Sequence, residues 1–227
     1  MKKIVILTGA GISAESGIQT FRDADGLWEG HDVMEVASPM GWESNQELVL
    51  DFYNKRRRQL LEVEPNAAHK ALADLEKKFD VEIITQNIDD LHERAGSTRV
   101  THLHGELLKA RSTFNEKLVM DWRQDIKPGD FCEFNHQLRP HVVWFGEAVP
   151  MFEKAMEIVT EAEILIIIGT SMQVYPAAGL VDFAAQEIPV YFIDPKPNIS
   201  EKGNLHIIAK KASVGVTKLV QDLINSA

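Results

Sequence analysis

The chain of 227 residues contains one cysteine, Cys132. A single thiol excludes an intrachain disulfide and any cysteine cluster that could grip a metal ion. This scarcity suits a reducing compartment, so a cytoplasmic protein is expected. Positive charge is also short: 24 Lys and Arg stand against 34 Asp and Glu, for a formal net charge of −10. A general basic field is therefore absent, and nucleic acid is not expected as a partner. Long apolar runs are missing too. The longest, Ile164 to Ile168, is far below the ~20 residues that span a bilayer, so no membrane partner is expected. Ile4 to Leu7 falls short of the roughly 7–15 apolar residues of a secretory leader. Internal repeats and low-complexity tracts are absent.

What is present suits one α/β domain with a small inserted module. Hydrophobic residues make up 44%, enough for a sizeable core. Lys3–Leu7, Val81–Thr85, Ile164–Ile168 and Val190–Ile193 read as strands, rich in β-branched residues and bounded by Gly, Thr, Asp or Pro. Their near-continuous apolarity predicts a parallel sheet covered on both faces. Helical patterns lie between them: Pro65 to Lys78 with Ala68, Ala71, Leu72 and Leu75; a segment opened by Pro176 with Leu180, Val181 and Ala184; and Val216 to Ile224. The alternation predicts a Rossmann-like doubly wound fold. Two stretches break it, and they are expected to form the small module. About 25–64 reads as loop and helix without strand, and about 106–140 as polar, aromatic and turn residues. The large part is then about 1–24, 65–105 and 141–227.

The first strand runs into Gly9-Ala10-Gly11-Ile12-Ser13, a strand–turn–helix pattern for a dinucleotide. Gly9 allows the turn, Gly11 lets backbone approach a pyrophosphate, and the helix start offers N–H groups to anionic oxygens. An ordinary tight turn reads equally well without the strand context. A dehydrogenase would continue to a second strand ending in an acidic residue. Here Phe21, Arg22 and Asp23 come next, in a loop. Phe21 can shield a reactive ribose carbon and Arg22 can meet phosphate; alternatively Phe21 is core and Arg22 surface. Gln86-Asn87-Ile88-Asp89, at the end of the Val81 strand, carries amide and carboxylate groups suited to ribose hydroxyls and a carboxamide. Helix capping is the competing reading of Asn87 and Asp89. His102 and His104 would share a face in a strand and could pair on a metal. No further ligand run accompanies them, so His104 is better motivated as a lone general base.

These clusters precede Arg139-Pro140-His141-Val142-Val143-Trp144-Phe145-Gly146-Glu147 and Gly169-Thr170-Ser171. Together, in this order and over almost the whole chain, they resemble the sirtuin family, most closely the bacterial class III type that removes acidic acyl groups. The resemblance implies an NAD-dependent protein-lysine deacylase acting on acyl-lysine proteins. The substrate carbonyl would attack the nicotinamide ribose, nicotinamide would leave, and an alkylimidate would form. His104 would then help a ribose hydroxyl attack, giving free lysine and O-acyl-ADP-ribose. Matched residue by residue, Gly9, Ala10, Gly11, Ile12, Ser13, Phe21, Arg22, Gln86, Asn87, Ile88, Asp89, Gly169, Thr170 and Ser171 would contact NAD. Asp194, Pro195, Lys196 and Ala212 would lie at its adenosine end. Val143, Trp144, Phe145 and Gly146 would pair with the substrate backbone as an added strand.

The family usually holds zinc with four cysteines between the catalytic histidine and the Phe-Gly-Glu segment. Cys132 alone cannot build that tetrahedron, so no metal is expected. Leu118, Val119, Trp122, Phe131 and Phe134 are candidates to hold the module by packing. Tyr53 and Arg56, three apart on a helical stretch, share a face. By themselves they read as part of a solvated basic face. The resemblance makes them the pair that marks activity on succinyl- and malonyl-lysine, with Ala37 widening the acyl pocket. Protein ADP-ribosylation or NAD hydrolysis would use the same pocket. An NAD-sensing module without catalysis would not need His104.

Overall fold

The structure, a computed structural model, describes residues 1–19, 27–28, 30–172, 175–197 and 199–227. The strands are β1 (Lys3–Thr8), β2 (Leu27–Trp28), β3 (His31–Asp32), β4 (Asp80–Thr85), β5 (Val100–His102), β6 (Gly105–Ser112), β7 (Val119–Asp121), β8 (Leu138–Val142), β9 (Ile164–Ile168), β10 (Val190–Ile193) and β11 (Leu205–Ile208). The helices are α1 (Val33–Val36), α2 (Pro39–Ser44), α3 (Gln46–Glu62), α4 (Ala67–Leu75), α5 (Leu91–Ala95), α6 (Phe152–Thr160) and α7 (Ala212–Asn225). Among the described residues no helix is long and apolar enough to cross a membrane.

Six strands form a parallel sheet in the order β11-β10-β9-β1-β4-β5. Strand order reverses between β1 and β9, which places a crevice at their carboxyl ends. The sheet is apolar on both faces, as expected. Ile4, Ile6, Val81, Ile83, Ile166 and Ile168 pack under α4 and α7, while Val5, Leu7, Ile84, Leu165 and Ile167 pack under α6. Each such buried side chain contributes about 1.5–3 kcal/mol relative to exposure.

Capping sets the helix limits. Asn45 Oδ1 accepts from Leu48 N–H at the start of α3, and Asn66 Oδ1 accepts from Ala68 N–H at the start of α4. Pro65 disfavours helix at Glu64 and separates the two. Helix α5 stops at Gly96, whose φ of 106° is left-handed.

Three sequence expectations need correction. The segment after Pro176 is a 3-10 helix, Ala177–Phe183, and its buried Ala177 and Leu180 keep a period of three. The first irregular stretch is not strand-free, because β2 and β3 pair as a small antiparallel ribbon. The second contains an antiparallel sheet of order β7-β6-β8. Pro140 lies within β8, which is tolerated because β8 is an edge strand.

The small module also closes differently from the expected packing. Leu118 and Trp122 do pack on its apolar cluster, but Phe131 and Phe134 are 54% and 55% exposed. They sit on a turn whose backbone is held by polar groups instead. The Gln137 amide donates to the carbonyls of Lys127 (3.0 Å), Asp130 (3.2 Å) and Leu138 (3.0 Å), and accepts from Gly129 N–H (2.8 Å). The core proper comes from Leu107, Leu108, Ala110, Ile126, Cys132 and Leu138 against α3. Arg57 is wholly buried within it. Its Nε donates to Leu107 O (3.1 Å) and its Nη1 to Asn54 Oδ1 (2.7 Å). The Asn54 amide in turn bonds both the N–H and the C=O of Ile126, at 2.9 and 2.8 Å. Burial lowers the Arg57 pKa to about 10, which still leaves it charged at neutrality.

Candidate active site

A cavity of about 700 Å³ opens at the sheet's carboxyl edge and runs to the small module. The turn after β1 forms its floor. Gly9 N–H donates to Ile168 O (3.0 Å) and Gly11 N–H to Gly169 O (2.8 Å). A Cβ on Gly11 would come within 2.6 Å of Gly169 Cα, so these two backbones touch where sheet order reverses. Gly11 therefore permits loop-against-loop packing. Two short 3-10 turns continue the chain from there, and the Ile12 and Ser13 N–H groups are bonded to Gly9 and Ala10 carbonyls. The expected open α-helical N-terminus is replaced by a closed turn.

Gly9, Ala10, Gly11, Gly169, Thr170 and Ser171 line the crevice, with Asp194, Pro195, Lys196 and Ala212 at its outer end. Ile12 and Ser13 do not line it. Ile12 belongs to the core beneath α4. The buried Ser13 hydroxyl donates to Asp89 Oδ2 (2.9 Å) and accepts from Asn87 Nδ2 (3.1 Å). Phe21 and Arg22 lie outside the described residues.

Gln86, Asn87, Ile88 and Asp89 line the cavity on the turn after β4. Burial raises the Asp89 pKa to about 6, against the Leu91 N–H and Ser13 hydroxyl bonds that favour its charge. The N-cap of α5 is Asp90 rather than Asp89 or Asn87, although Asp89 Oδ1 accepts from Leu91 N–H (3.2 Å) one residue earlier.

His104 also lines the cavity. Its Nδ1 lies 3.0 Å from Gln86 O, and a carbonyl can only accept, so Nδ1 carries the proton and Nε2 is the basic nitrogen. Burial lowers its pKa, partly opposed by that bond, so the ring is neutral and able to take a proton at pH 7. A His102–His104 metal pair does not form. His102 ends β5 and His104 sits in the adjoining turn, and each ring is spent on a backbone carbonyl. Among the described residues no group of three or more His, Cys, Asp or Glu side chains could hold a metal ion. The four-thiolate zinc site implied for this interval does not fit. Cys132 is buried, with its Sγ 3.3 Å from Ser112 Oγ.

The cavity's far end is aromatic. Tyr53 and Arg56 project from α3 with Gln59 and Leu60, and Ala37 and Trp28 complete the wall. Gln59 is not among the sequence expectations, although its i+3 spacing from Arg56 on the same helix is the signal for it. The wholly buried Tyr53 hydroxyl accepts from Trp144 Nε1 at 3.0 Å, and burial holds the phenol well above its usual pKa. It is therefore a neutral hydrogen-bond donor. The Arg56 guanidinium lies 3.4 Å from the Phe52 ring centroid and 5.7 Å from that of Trp28.

Val143, Trp144, Phe145 and Gly146 line the adjoining wall. They form a turn after β8 rather than an open edge strand, because the first three N–H groups are engaged internally. Val143 donates to His104 O (2.9 Å), Trp144 to Glu147 Oε2 (2.7 Å) and Phe145 to Ala37 O (2.9 Å). Glu147 is in turn clamped by Arg139 (2.7 Å) and Arg111 (3.0 Å), and Arg139 stacks 3.2 Å over the Trp144 ring. Burial works against the Glu147 charge, but the Arg139 bond outweighs it and the carboxyl stays below its usual range. Spacing along the chain gives no sign of this clamp, since Arg111 is 36 residues from Glu147.

A six-stranded parallel sheet with an antiparallel module and a crevice joining them define a class, and the sequence relationships name it. The Sir2 family profile matches residues 9–176, and the chain belongs to that family. It is 59% identical over its whole length, and the whole of the relative, to an NAD-dependent protein deacylase of Helicobacter pylori. It is 52% identical to one of Bacteroides thetaiotaomicron, covering 99% of both chains. Among solved structures, a Sir2 homologue in complex with NAD superposes with a TM-score of 0.89 at 38% identity, covering 99% of this chain and 90% of the other.

Proposed function

We propose that this protein is an NAD-dependent protein-lysine deacylase that removes acetyl and acidic acyl groups, succinyl and malonyl among them. The carrying observation is the continuous cavity that joins the glycine turns, the neutral His104 imidazole and the Tyr53–Arg56 end. In this reading NAD is a consumed cosubstrate. The crevice between the Gly9 and Gly169 turns holds its phosphates, and Asp194 to Lys196 with Ala212 hold its adenosine end. Asp89 and Asn87 face the ribose and carboxamide. His104 Nε2 takes a proton from a ribose hydroxyl after nicotinamide has left, so that the oxygen can receive the acyl group. The Val143–Gly146 turn lies along the peptide carrying the acyl-lysine. The Trp144 and Phe145 N–H groups and the Trp144 carbonyl are engaged within the protein, so strand addition here requires this turn to give up some of its own bonds.

At this end, Arg56 supplies charge and the Tyr53 hydroxyl donates a hydrogen bond to an acyl carboxylate. A charge-assisted bond there contributes roughly 1.5–3 kcal/mol, or about 10- to 150-fold in selectivity. The decisive experiment is mass spectrometry of the products formed from acetyl- and succinyl-lysine peptides of one sequence with NAD. Free lysine, nicotinamide and O-acyl-ADP-ribose are expected. ADP-ribosylated protein, or ADP-ribose alone, would replace this reading with transfer or hydrolysis. Arg56→Met should lower the succinyl-to-acetyl ratio of kcat/KM by about 10- to 150-fold. An equal loss on both substrates would leave a simple deacetylase. We propose a cytoplasmic location, and a small module that functions without zinc.

A further inference from the structure

His102 has no place in the proposed chemistry, yet its side chain is only 8% exposed. Its Nδ1 is 3.0 Å from Asn87 O and its Nε2 is 2.8 Å from Glu93 Oε1. A carbonyl and a carboxylate are both acceptors, so the ring meets both only by donating from both nitrogens, as an imidazolium. The two histidines of the His-Leu-His run thus grip successive carbonyls, His104 that of Gln86 and His102 that of Asn87. The Asn87 side chain reaches Ser13, and Ser13 reaches Asp89. One short turn therefore carries the anchor of the catalytic imidazole and the acidic group facing the cosubstrate.

We propose that His102 is a positioning residue for the cosubstrate: a buried cation, clamped between Glu93 and the Asn87 carbonyl, that fixes the Gln86–Asp89 turn for NAD. The electrostatics agree. Burial opposes charge on His102, but the Glu93 bond and charge and the Asn87 carbonyl overcome it and raise its pKa. The other charged or titratable neighbours are Glu106 from β6, His92 from α5 and Asp89 from the turn itself, with Lys109 acting on Glu93. The His102 charge also lowers the Asp89 pKa, against its burial.

The inference rests on assigning the turn to NAD, and calorimetric titration of the protein with NAD separates the two ideas. H102Q keeps a polar side chain but removes the cation. NAD affinity should fall about 10- to 100-fold, the loss expected for a buried charged hydrogen bond. The acid limb of NAD binding should also move to higher pH, because Asp89 loses a neighbouring positive charge. E93Q should shift both in the same direction by less. A lower melting temperature with wild-type NAD affinity and an unmoved acid limb would mean a purely structural role and would overturn the proposal. If the wild type fails to bind NAD, the reading of the turn falls and the proposal with it. Should H102Q not fold, E93Q and nitrogen-15 spectra of the wild type remain. At about pH 6.5, where an ordinary histidine is half protonated, both ring nitrogens of His102 should be protonated, and a neutral ring would overturn the proposal.

Discussion

Beneath the crevice between the glycine turns, the parallel sheet packs an all-apolar cluster of Ile4, Ile6, Ile83, Ile166 and Ile168 against α4 and α7. Across the cavity, the small module closes around buried Arg57, Arg111 and Arg139, with Arg139 stacked over the Trp144 ring. Apolar burial has no direction, so the sheet's order arises from periodicity and chain connection. Buried arginines are directional: each bond they make needs an acceptor in a set place, and losing one leaves an uncompensated group in a dry place. The half built from apolar strands carries the glycine turns and His104. The half built on directional bonds carries Tyr53, Arg56 and the Glu147 clamp, where substrate selection is proposed.

The sharpest test of this division lies at the seam. His104→Ala should lower NAD-dependent deacylation by about 10²- to 10⁴-fold while moving the melting temperature little, since the ring contributes a base rather than packing. Retained wild-type turnover would remove His104 from the chemistry and with it the reason for joining the two halves.

Next in size is the polar core. Asn54→Ala strips partners from the Ile126 peptide and from Arg57, and should cost about 2–4 kcal/mol in urea unfolding. Ile166→Val in the sheet should cost only about 0.5–1.5 kcal/mol. If the asparagine change costs no more than the isoleucine change, the contrast between the halves is wrong. A chelator should leave the wild-type transition in place, and a chelator-induced shift would mean that metal, rather than Asn54 and Gln137, holds the module.

A smaller effect tests the sheet side. His69 is wholly buried under the glycine turn, 3.5 Å from Ser13 Oγ, and burial pushes its pKa down to about 4, with Glu93 opposing weakly. Folded His69 therefore stays neutral while the unfolded chain takes up a proton below about pH 6.5. Its contribution is present above that pH and is lost as pH falls towards 4, by about 2 kcal/mol at pH 5. Urea midpoints at about pH 7 and pH 5, either side of the unfolded pKa, measure it. His69→Gln should narrow the difference, leaving the part due to the neighbouring His92, whose pKa burial also lowers, and an unchanged acid sensitivity would assign it elsewhere.

The sequence by itself determined the parallel sheet, because runs such as Ile164–Ile168 are apolar at every position and only strands covered on both faces can bury them. It also placed Gly9, Gln86, His104 and Gly169 at strand ends, where local chain order suffices. It did not show β11 or the β7-β6-β8 sheet. β7, β8 and β11 are short and edge-lying, with charged residues and a proline among them, and the longer, central β6 interleaves Glu106, Lys109 and Arg111 with its apolar residues, so periodicity is weak. Only the tertiary structure decided which bonds the site groups make. The Glu147 clamp, the Trp144–Tyr53 bond and the Arg57–Asn54–Ile126 stitch join residues up to 91 positions apart. The same structure turned His102 from a possible metal ligand into a clamp on the Asn87 carbonyl. A hydrogen bond's partner depends on where distant chain arrives, and no spacing in the sequence encodes that arrival.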